Sequence, residues 1–420
     1  MRVREILGGA MFLLAAASCA MGAETPPDAA LERAKKILSS TPLIDGHNDL
    51  PWTLRSNSKI KGDVEGTNLQ ATTSLDTDLP KMRRGQVGGQ FWSVWIPPEM
   101  PDKNPVTVQL EQIDIARRFI AKYPEDLEFC LTAQDVERVF KKGKIASMLG
   151  MEGGQGMNNS LGSLRAFYGL GVRYMTLTHW KTIDWADSAT DAAKHNGLTP
   201  FGKDVVREMN RLGMLVDLSH VSEKTMSDAL DVSEAPVIFS HSSARAITDH
   251  PRNVPDSILF RMSKNRGVVM VTFIPDFVSN EANRWGKGFN EAMKDKLSKF
   301  ESAEWYDKLR REYAAKHPAP KATLAQVADH IDHVRKIAGA DHVGIGSDFW
   351  GSENTTVGLE DVSKFPDLIA ELLRRGWSDS DIKGLVGLNV LRVMREAEAV
   401  AERLKRTRTA SLASFDRAKE

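Results

Sequence analysis

The stretch "LIDGHNDLPW" (residues 43–52) sets a short apolar run directly against a histidine and an aspartate two positions apart, His47 and Asp49. An apolar run that stops at Asp-Gly has the form of a buried strand ending in a turn. Taken alone, the stretch has two readings. Asp45, Asn48 and Asp49 can hydrogen-bond the backbone of that turn, or His47 and Asp49 can be half of a metal site. The rest of the chain decides between them by where it puts its other reactive residues.

Working outward, the same kind of run recurs. After "PLIDGH" (42–47) come "GGQFWSVWI" (88–96), "KIASMLGME" (144–152), "GVRYMTLTH" (171–179), "GMLVDLSH" (213–220), "APVIFSH" (235–241), "GVVMVTF" (267–273) and "DHVGIGSDF" (341–349). The segments between them carry helical periodicity, and two end at a glycine, Gly213 and Gly339, as a helix C-terminus does. Strands buried on both faces read as near-continuous apolar runs, so eight of them alternating with helices predict an α/β fold, a (β/α)8 barrel of the TIM type. Periodicity cannot close a sheet, and a doubly wound open sheet is the structural alternative.

The reactive residues fall at the strand ends. His47 and Asp49 follow the first strand, and Glu152 ends the third. His179, His220 and His241 end the fourth, fifth and sixth, and Asp348 ends the eighth. In a parallel barrel these ends share one face, the face that carries the active site. A lone strand-end histidine is most often a satisfied polar group, and a lone aspartate a turn or helix cap. Four of the ten histidines at four such ends, with three carboxylates, form a pattern that those readings do not explain. Imidazole and carboxylate suit Zn²⁺, with Mn²⁺, Fe²⁺ or Co²⁺ as alternatives. His47, Asp49, His220 and His241 with one bridging carboxylate would hold two ions, and Glu152, followed by Gly153 and Gly154, is the natural bridge.

Other features are weaker. "HIDH" places His330 and His333 one helical turn apart, a chelating spacing, but reads as a partly solvated helix face. His195 falls in a loop and reads as exposed. Asp217 and Ser219 flank a proposed ligand and read as its supports. "GIGSDFWG" and "EGGQG" match neither a dinucleotide fingerprint nor a P-loop.

Lys and Arg number 56 and Asp and Glu 56, so charge balance gives no reason to expect nucleic acid or an anionic membrane as partner. The N-terminus, "MRVREILGGAMFLLAAASCAMGAE", has two arginines, an apolar stretch and then small residues, the layout of a secretory signal. The expected organisation is a signal peptide over 1–23, a linker and helix over 24–40, and a barrel domain over 41–405. A helical insertion is expected near 274–323 and a polar, frayed tail over 406–420. No later segment is long and apolar enough to span a bilayer, so an exported protein, periplasmic or secreted, is expected. "AAASC" offers a second reading in which Cys19 carries a lipid anchor. The two cysteines are Cys19 and Cys130, so removal of the signal would leave Cys130 alone and any metal to His and carboxylates.

With these residues placed, the chain resembles the membrane dipeptidase (renal dipeptidase) family of zinc peptidases, family M19. The resemblance runs from about residue 41 to 394 and rests on "DGHNDLPW", "GMEGG", "RYMTLTH", "WAD", "GLTPFG", "VDLSHVS", "VIFSHSSAR", "RNVPD", "VGIGSDF" and "GLNVLRV" in that order. It implies a barrel of the metal-dependent hydrolase type with two zinc ions, hydrolysing dipeptides and tolerating a D-residue at the C-terminal position. By resemblance, His47 and Asp49 bind one zinc, His220 and His241 the other, and Glu152 bridges them, with a hydroxide between the ions as nucleophile. His179 matches the histidine that contacts substrate and stabilises the oxyanion, and Arg252 the arginine that faces substrate. Asp348 matches the aspartate that handles the proton, and Trp52 a tryptophan near the substrate pocket. Animal members carry a disulfide and a glycolipid anchor. Neither the cysteine pair nor an apolar C-terminal tail is present here, which argues against an anchored disulfide dimer and leaves a homodimer undecided.

Two rivals stand beside this reading. Other barrel hydrolases commonly show His-x-His after the first strand and a carboxylated lysine as bridge, whereas this chain has His-x-Asp and Glu152, and Lys144 begins its strand at the wrong end. A non-enzymatic binding protein on the same fold would be expected to have lost a ligand, and none is missing.

Overall fold

The computed structural model describes residues 28–99, 103–297 and 302–415. The predicted signal peptide, Cys19 and most of the linker lie outside the described residues. Among the described residues nine strands run parallel: β1 Leu43–Asn48, β2 Val87–Ser93, β3 Leu127–Phe129, β4 Ile145–Glu152, β5 Val172–Thr176, β6 Leu215–Asp217, β7 Ile238–Phe239, β8 Val268–Val271 and β9 Val343–Ile345. Each pairs with its neighbours in the order β2-β1-β9-β8-β7-β6-β5-β4, and β2 pairs with β4, so eight strands close into a barrel. These eight coincide with the eight apolar runs, β1 and β2 each extending one residue beyond theirs, and closure excludes the open doubly wound sheet.

The ninth strand is the one the sequence reading passes over. β3 pairs with the start of β4, Leu127 opposite Ile145 and Phe129 opposite Ser147, while β5 takes β4 from Leu149 onward. β3 therefore lengthens one edge of β4 and stands outside the closure. Three residues are too few to show a period.

Local chemistry sets the helices between the strands. Pro200–Leu212 begins on the Thr199 hydroxyl, which accepts the Gly202 N–H, and ends at Gly213 with φ 90°, a left-handed position that glycine takes without strain. Leu324–Ala338 opens on a reciprocal Thr323–Gln326 capping box and closes at Gly339. The N-terminal helix Ala29–Ser40 buries Ala34, Ile37 and Leu38 and is tied to the C-terminal helices by Arg33 to Asp379 and Arg374 to Asp28. Ile37 and Leu38 each contribute roughly 1.5–3 kcal/mol by that burial.

Between β8 and β9 lie the helices Pro275–Val278, Asn280–Ala292, Lys294–Leu297 and Ala303–Ala314. The last of these sits on the loops that follow β1 and β9. Glu304 accepts from Asn57 Nδ2 at 2.7 Å, Asp307 accepts from Ser352 Oγ at 2.6 Å, and the Tyr306 and Trp350 rings lie 5.1 Å apart. Over its described residues, 406–415, the tail differs from the frayed segment expected. The final helix runs to Thr407, Ser411 donates its N–H to Glu208, and Phe415 packs edge-on against Phe201 at 5.6 Å. A polar composition hid the one aromatic anchor that holds it. Among the described residues no helix is long and apolar enough to cross a membrane.

Candidate metal centre

The C-terminal ends of the barrel strands converge on Glu152, the last residue of β4. Its two carboxylate oxygens face different partners. Oε1 lies 2.9 Å from His220 Nε2, 3.3 Å from His241 Nε2 and 3.4 Å from His179 Nε2. Oε2 lies 3.4 Å from His47 Nε2, with the Ser93 hydroxyl at 3.4 Å. His47 Nε2 is also 3.4 Å from Asp49 Oδ2 and 3.8 Å from Asp348 Oδ1. His220 and His241 approach each other at 3.0 Å through Nε2. The strand-end residues read from the sequence thus share one buried cluster: His47 and His241 have no exposed surface, and Glu152 is 3 % exposed.

Holding this cluster distorts the backbone. His220 has φ 68° and Asp348 φ 64°, left-handed positions where a non-glycine residue is strained by roughly 1–2 kcal/mol. Neighbouring bonds fix both: Ala189 N–H donates to His220 O at 2.8 Å, and Asp348 N–H to His47 O at 3.1 Å.

Two imidazoles have their far nitrogens engaged. Tyr174 donates its hydroxyl to Gly46 O at 3.2 Å, so its oxygen receives His47 Nδ1–H at 2.7 Å. His241 Nδ1 meets the Ser240 hydroxyl at 2.9 Å. Both rings therefore turn Nε2 toward Glu152. His47 Nε2 and Asp49 Oδ1 are buried with no hydrogen-bond partner in the protein. These two atoms stand among three groups, His47–Asp49–Glu152, Glu152–His220–His241 and His47–His241–Asp348, each with ligand atoms within 4.8 Å of one another, and such groups fit divalent cations well.

The charges agree. Burial drives the His220 and His241 imidazoles well below the usual range, helped by Arg252, and so keeps them neutral, the form that ligates. For His47 burial acts the same way but is outweighed by Tyr174, Glu152 and Asp49, and its ring holds a proton well above the usual range. Glu152, despite burial, is held well below the carboxylate range by His47, His179 and His220. A cation bound beside His47 has to displace that proton. Burial pushes the Asp348 carboxyl up to about 7, with Asp49 and Glu152 adding to the rise.

Arg252, 2 % exposed, donates to Ser242 Oγ and to His241 O, each at 3.3 Å, while its Nε has no partner and its guanidinium faces the Phe277 ring at 5.3 Å. Trp52 lies farther out, reaching the cluster through Trp95: Trp52 meets Trp95 edge-on at 4.5 Å, and Trp95 stands 5.3 Å from His179. Trp180 is 4.3 Å from the same ring. Trp95 lies inside the run "GGQFWSVWI" and Trp180 directly follows "GVRYMTLTH", yet neither is marked out by its sequence, and Tyr174 stands in "RYMTLTH" only as an apolar residue.

His330 and His195 both lie deeper than the solvated positions their sequence predicts. His330 is wholly buried. Its Nδ1 accepts the Ala244 N–H at 3.0 Å and its Nε2 reaches Val278 O at 3.2 Å, so it braces the loop after β7 and faces no solvent. His333 is partly buried against Asp256 Oδ1 at 2.8 Å. His195 is half-buried, its Nε2 on Ile183 O at 2.9 Å.

A carboxylate ringed by imidazoles at the C-terminal mouth of a parallel barrel defines a metal-dependent barrel enzyme. The model of the membrane dipeptidase family, peptidase family M19, matches residues 31–408, and the chain belongs to that family; it is a metallo-dipeptidase. Solved structures agree. The probable dipeptidase PvdM from Pseudomonas aeruginosa is 26% identical with a TM-score of 0.75, over 89% of this chain and 100% of that one. Dipeptidase AC, a metallo peptidase, is 25% identical with a TM-score of 0.66, over 85% of this chain and 98% of that one. A metallo peptidase from Rhodobacter sphaeroides, solved with a phosphinate mimic of the dipeptide L-Ala-D-Ala, is 24% identical with a TM-score of 0.68, over 85% and 99%.

Proposed function

We propose that the chain is a binuclear zinc dipeptidase that accepts a D-residue at the C-terminal position. The observation that carries the binuclear reading is the division of Glu152, with Oε1 turned to His220 and His241 and Oε2 to His47. His47 and Asp49 would hold one ion, His220 and His241 the other, and Glu152 both. The phosphinate mimic of L-Ala-D-Ala bound by the Rhodobacter relative supports the D-residue.

Bound divalent cations supply acidified water and a Lewis acid for the scissile carbonyl. The protein's own groups do the rest. Asp348, its Oδ1 3.8 Å from His47 Nε2, would take a proton from water and return it to the leaving amine. His179, held between Glu152 and two tryptophans, would donate to the developing oxyanion. The Arg252 guanidinium stays charged, its pKa lowered by burial to about 10, and offers its orphaned Nε to an anionic group of the substrate. Trp52 and Trp95 wall the approach to His179 and limit the room for the substrate. Residues 1–23 would direct export to the periplasm or exterior, and the catalytic domain read as 41–405 takes in the packed helix Ala29–Ser40 and the tail to Phe415 as well.

Elemental analysis of the purified protein should give two zinc per chain, and one or none overturns the bridging role of Glu152. A dipeptide panel varying both side chains and the C-terminal configuration, run with and without chelator, should show dipeptides cleaved, L-D pairs included, and tripeptides left intact.

A further inference from the structure

Two residues outside the candidate metal cluster, Ser240 and Asp217, stand in line behind the far nitrogen of His241. The Ser240 hydroxyl stands between Asp217 and the His241 ring, with Oγ 2.6 Å from Asp217 Oδ2 and 2.9 Å from His241 Nδ1. A serine hydroxyl has one proton to give. Asp217 is fully buried, and its oxygens also receive the Ser219 N–H at 3.1 Å, the Ser240 N–H at 2.8 Å and the Thr176 hydroxyl at 2.5 Å. Faced by four donors, the carboxylate only accepts. The Ser240 proton goes to Asp217, Oγ is left as an acceptor, and Nδ1 carries the ring proton. Nε2, 3.3 Å from Glu152 and 3.0 Å from His220, then keeps its lone pair toward the cluster.

We propose that Asp217 is a positioning residue that selects the metal-binding tautomer of His241 through the Ser240 hydroxyl. The inference rests on the reading of His241 as a zinc ligand.

A second clamp of the same build separates tautomer selection from bracing. Asp45, also fully buried, takes the Ser347 N–H at 2.7 Å and its hydroxyl at 2.6 Å, and Ser347 precedes Asp348 as Ser240 precedes His241. The Ser347 hydroxyl touches no imidazole. Its other neighbour is His47 O at 3.3 Å, and the His47 ring is served by Tyr174. Both clamps brace strand ends, and only that of Asp217 reaches a ring nitrogen.

The consequence is a counterintuitive order of variants. In Asp217→Asn the N–H groups of Ser219 and Ser240, both aimed at Oδ1, hold the amide oxygen there and place NH2 where Oδ2 was. That NH2 donates to Ser240 Oγ, the hydroxyl turns its proton onto His241 Nδ1, and the ring proton moves to Nε2, where the lone pair was. Ser240→Ala removes the relay and leaves the ring free to adopt either tautomer. The near-isosteric change should therefore harm zinc binding more than the truncation.

The test uses the full-length protein and its variants Asp217→Asn, Ser240→Ala, the double variant and Asp45→Asn. It reads zinc content, zinc affinity by chelator competition, and thermal stability. Asp217→Asn should weaken one of the two zincs by about 10–100-fold, the range for groups that orient metal-bound histidines. Ser240→Ala should lose less than about tenfold by the same measure, and adding it to Asp217→Asn should restore affinity to its own level. Asp45→Asn should lower stability and keep both zincs. Native zinc affinity in Asp217→Asn, equal zinc loss in Asp217→Asn and Asp45→Asn, or no rescue in the double variant each overturns the proposal. Should Asp217→Asn not fold, zinc loss in Ser240→Ala as complete as in His241→Ala overturns it. Fewer than two zincs in the unmodified protein is a different failure, that of the binuclear reading, and removes the basis of the proposal.

Discussion

Gly150 on β4 lies directly opposite Tyr174 on β5, and the tyrosine ring fills the space that a Cβ at Gly150 would need. That close approach lets the ring lie across the barrel interior, with its hydroxyl on His47 Nδ1. Gly150→Ala should displace the ring, cost roughly 1–3 kcal/mol of stability, as overpacking of a core does, and loosen metal retention. Tyr174→Phe keeps the ring and removes the acceptor, so it should weaken metal retention with a smaller change in melting temperature. Melting curves and metal content of the two variants check this, and equal metal retention in all three proteins would separate Tyr174 from the site.

Asp348→Asn should keep its metal content and lose most of its turnover, because the amide cannot carry a proton between water and amine. Normal turnover would remove Asp348 from the mechanism. The same residue leaves a mark on stability. Its folded carboxyl is raised to about 7 from 3.8, so after chelator treatment it contributes stability that is full below about pH 4 and lost as pH rises through 7, a few kcal/mol in order of magnitude. Chelator-treated Asp348→Asn should lose this decline, which melting temperature against pH reads directly.

His330 and His250 act in the opposite sense. Burial lowers His330 to about 4 and His250 to about 3, from 6.5. A buried neutral histidine resists protonation that the unfolded chain accepts, so its stabilisation is full above pH 6.5 and is lost as pH falls toward those values. For His330 this amounts to ~3 kcal/mol. Melting temperature should fall between pH 6.5 and 4. His330→Gln, although less stable at neutral pH, should show a shallower fall, and an unchanged slope would mean that other groups set the acid limit.

Cys130 has no exposed surface, and burial pushes its thiol up to about 12. A thiol held in that form is a poor nucleophile. Native protein should leave it unlabelled by a thiol reagent over the time in which unfolded protein reacts fully. Fast labelling of the native state would show that the region around β3 opens locally.

The barrel was legible because each of its strands is buried on both faces and so reads as an apolar run, even β7, where only Ile238 and Phe239 are paired as strand. The cluster was legible because its residues end those runs, where nothing apolar masks them. What stayed hidden depends on contacts between residues far apart in the chain. His330 looks solvated in its own helix and is buried only because the Ala244 loop and Val278 close over it. Tyr174 and Ser240 look like ordinary core and turn residues until the β1 and β6 ends arrive beside them. Periodicity reports which face of an element is covered, and it is silent on what covers it.

The left-handed backbones at His220 and Asp348 have a meaning for laboratory evolution. Glycine or asparagine would relax either position, so a library selected only for heat resistance should drift toward them there. A library selected for turnover should retain histidine and aspartate, and comparing the two populations would map where this fold gives up stability for chemistry.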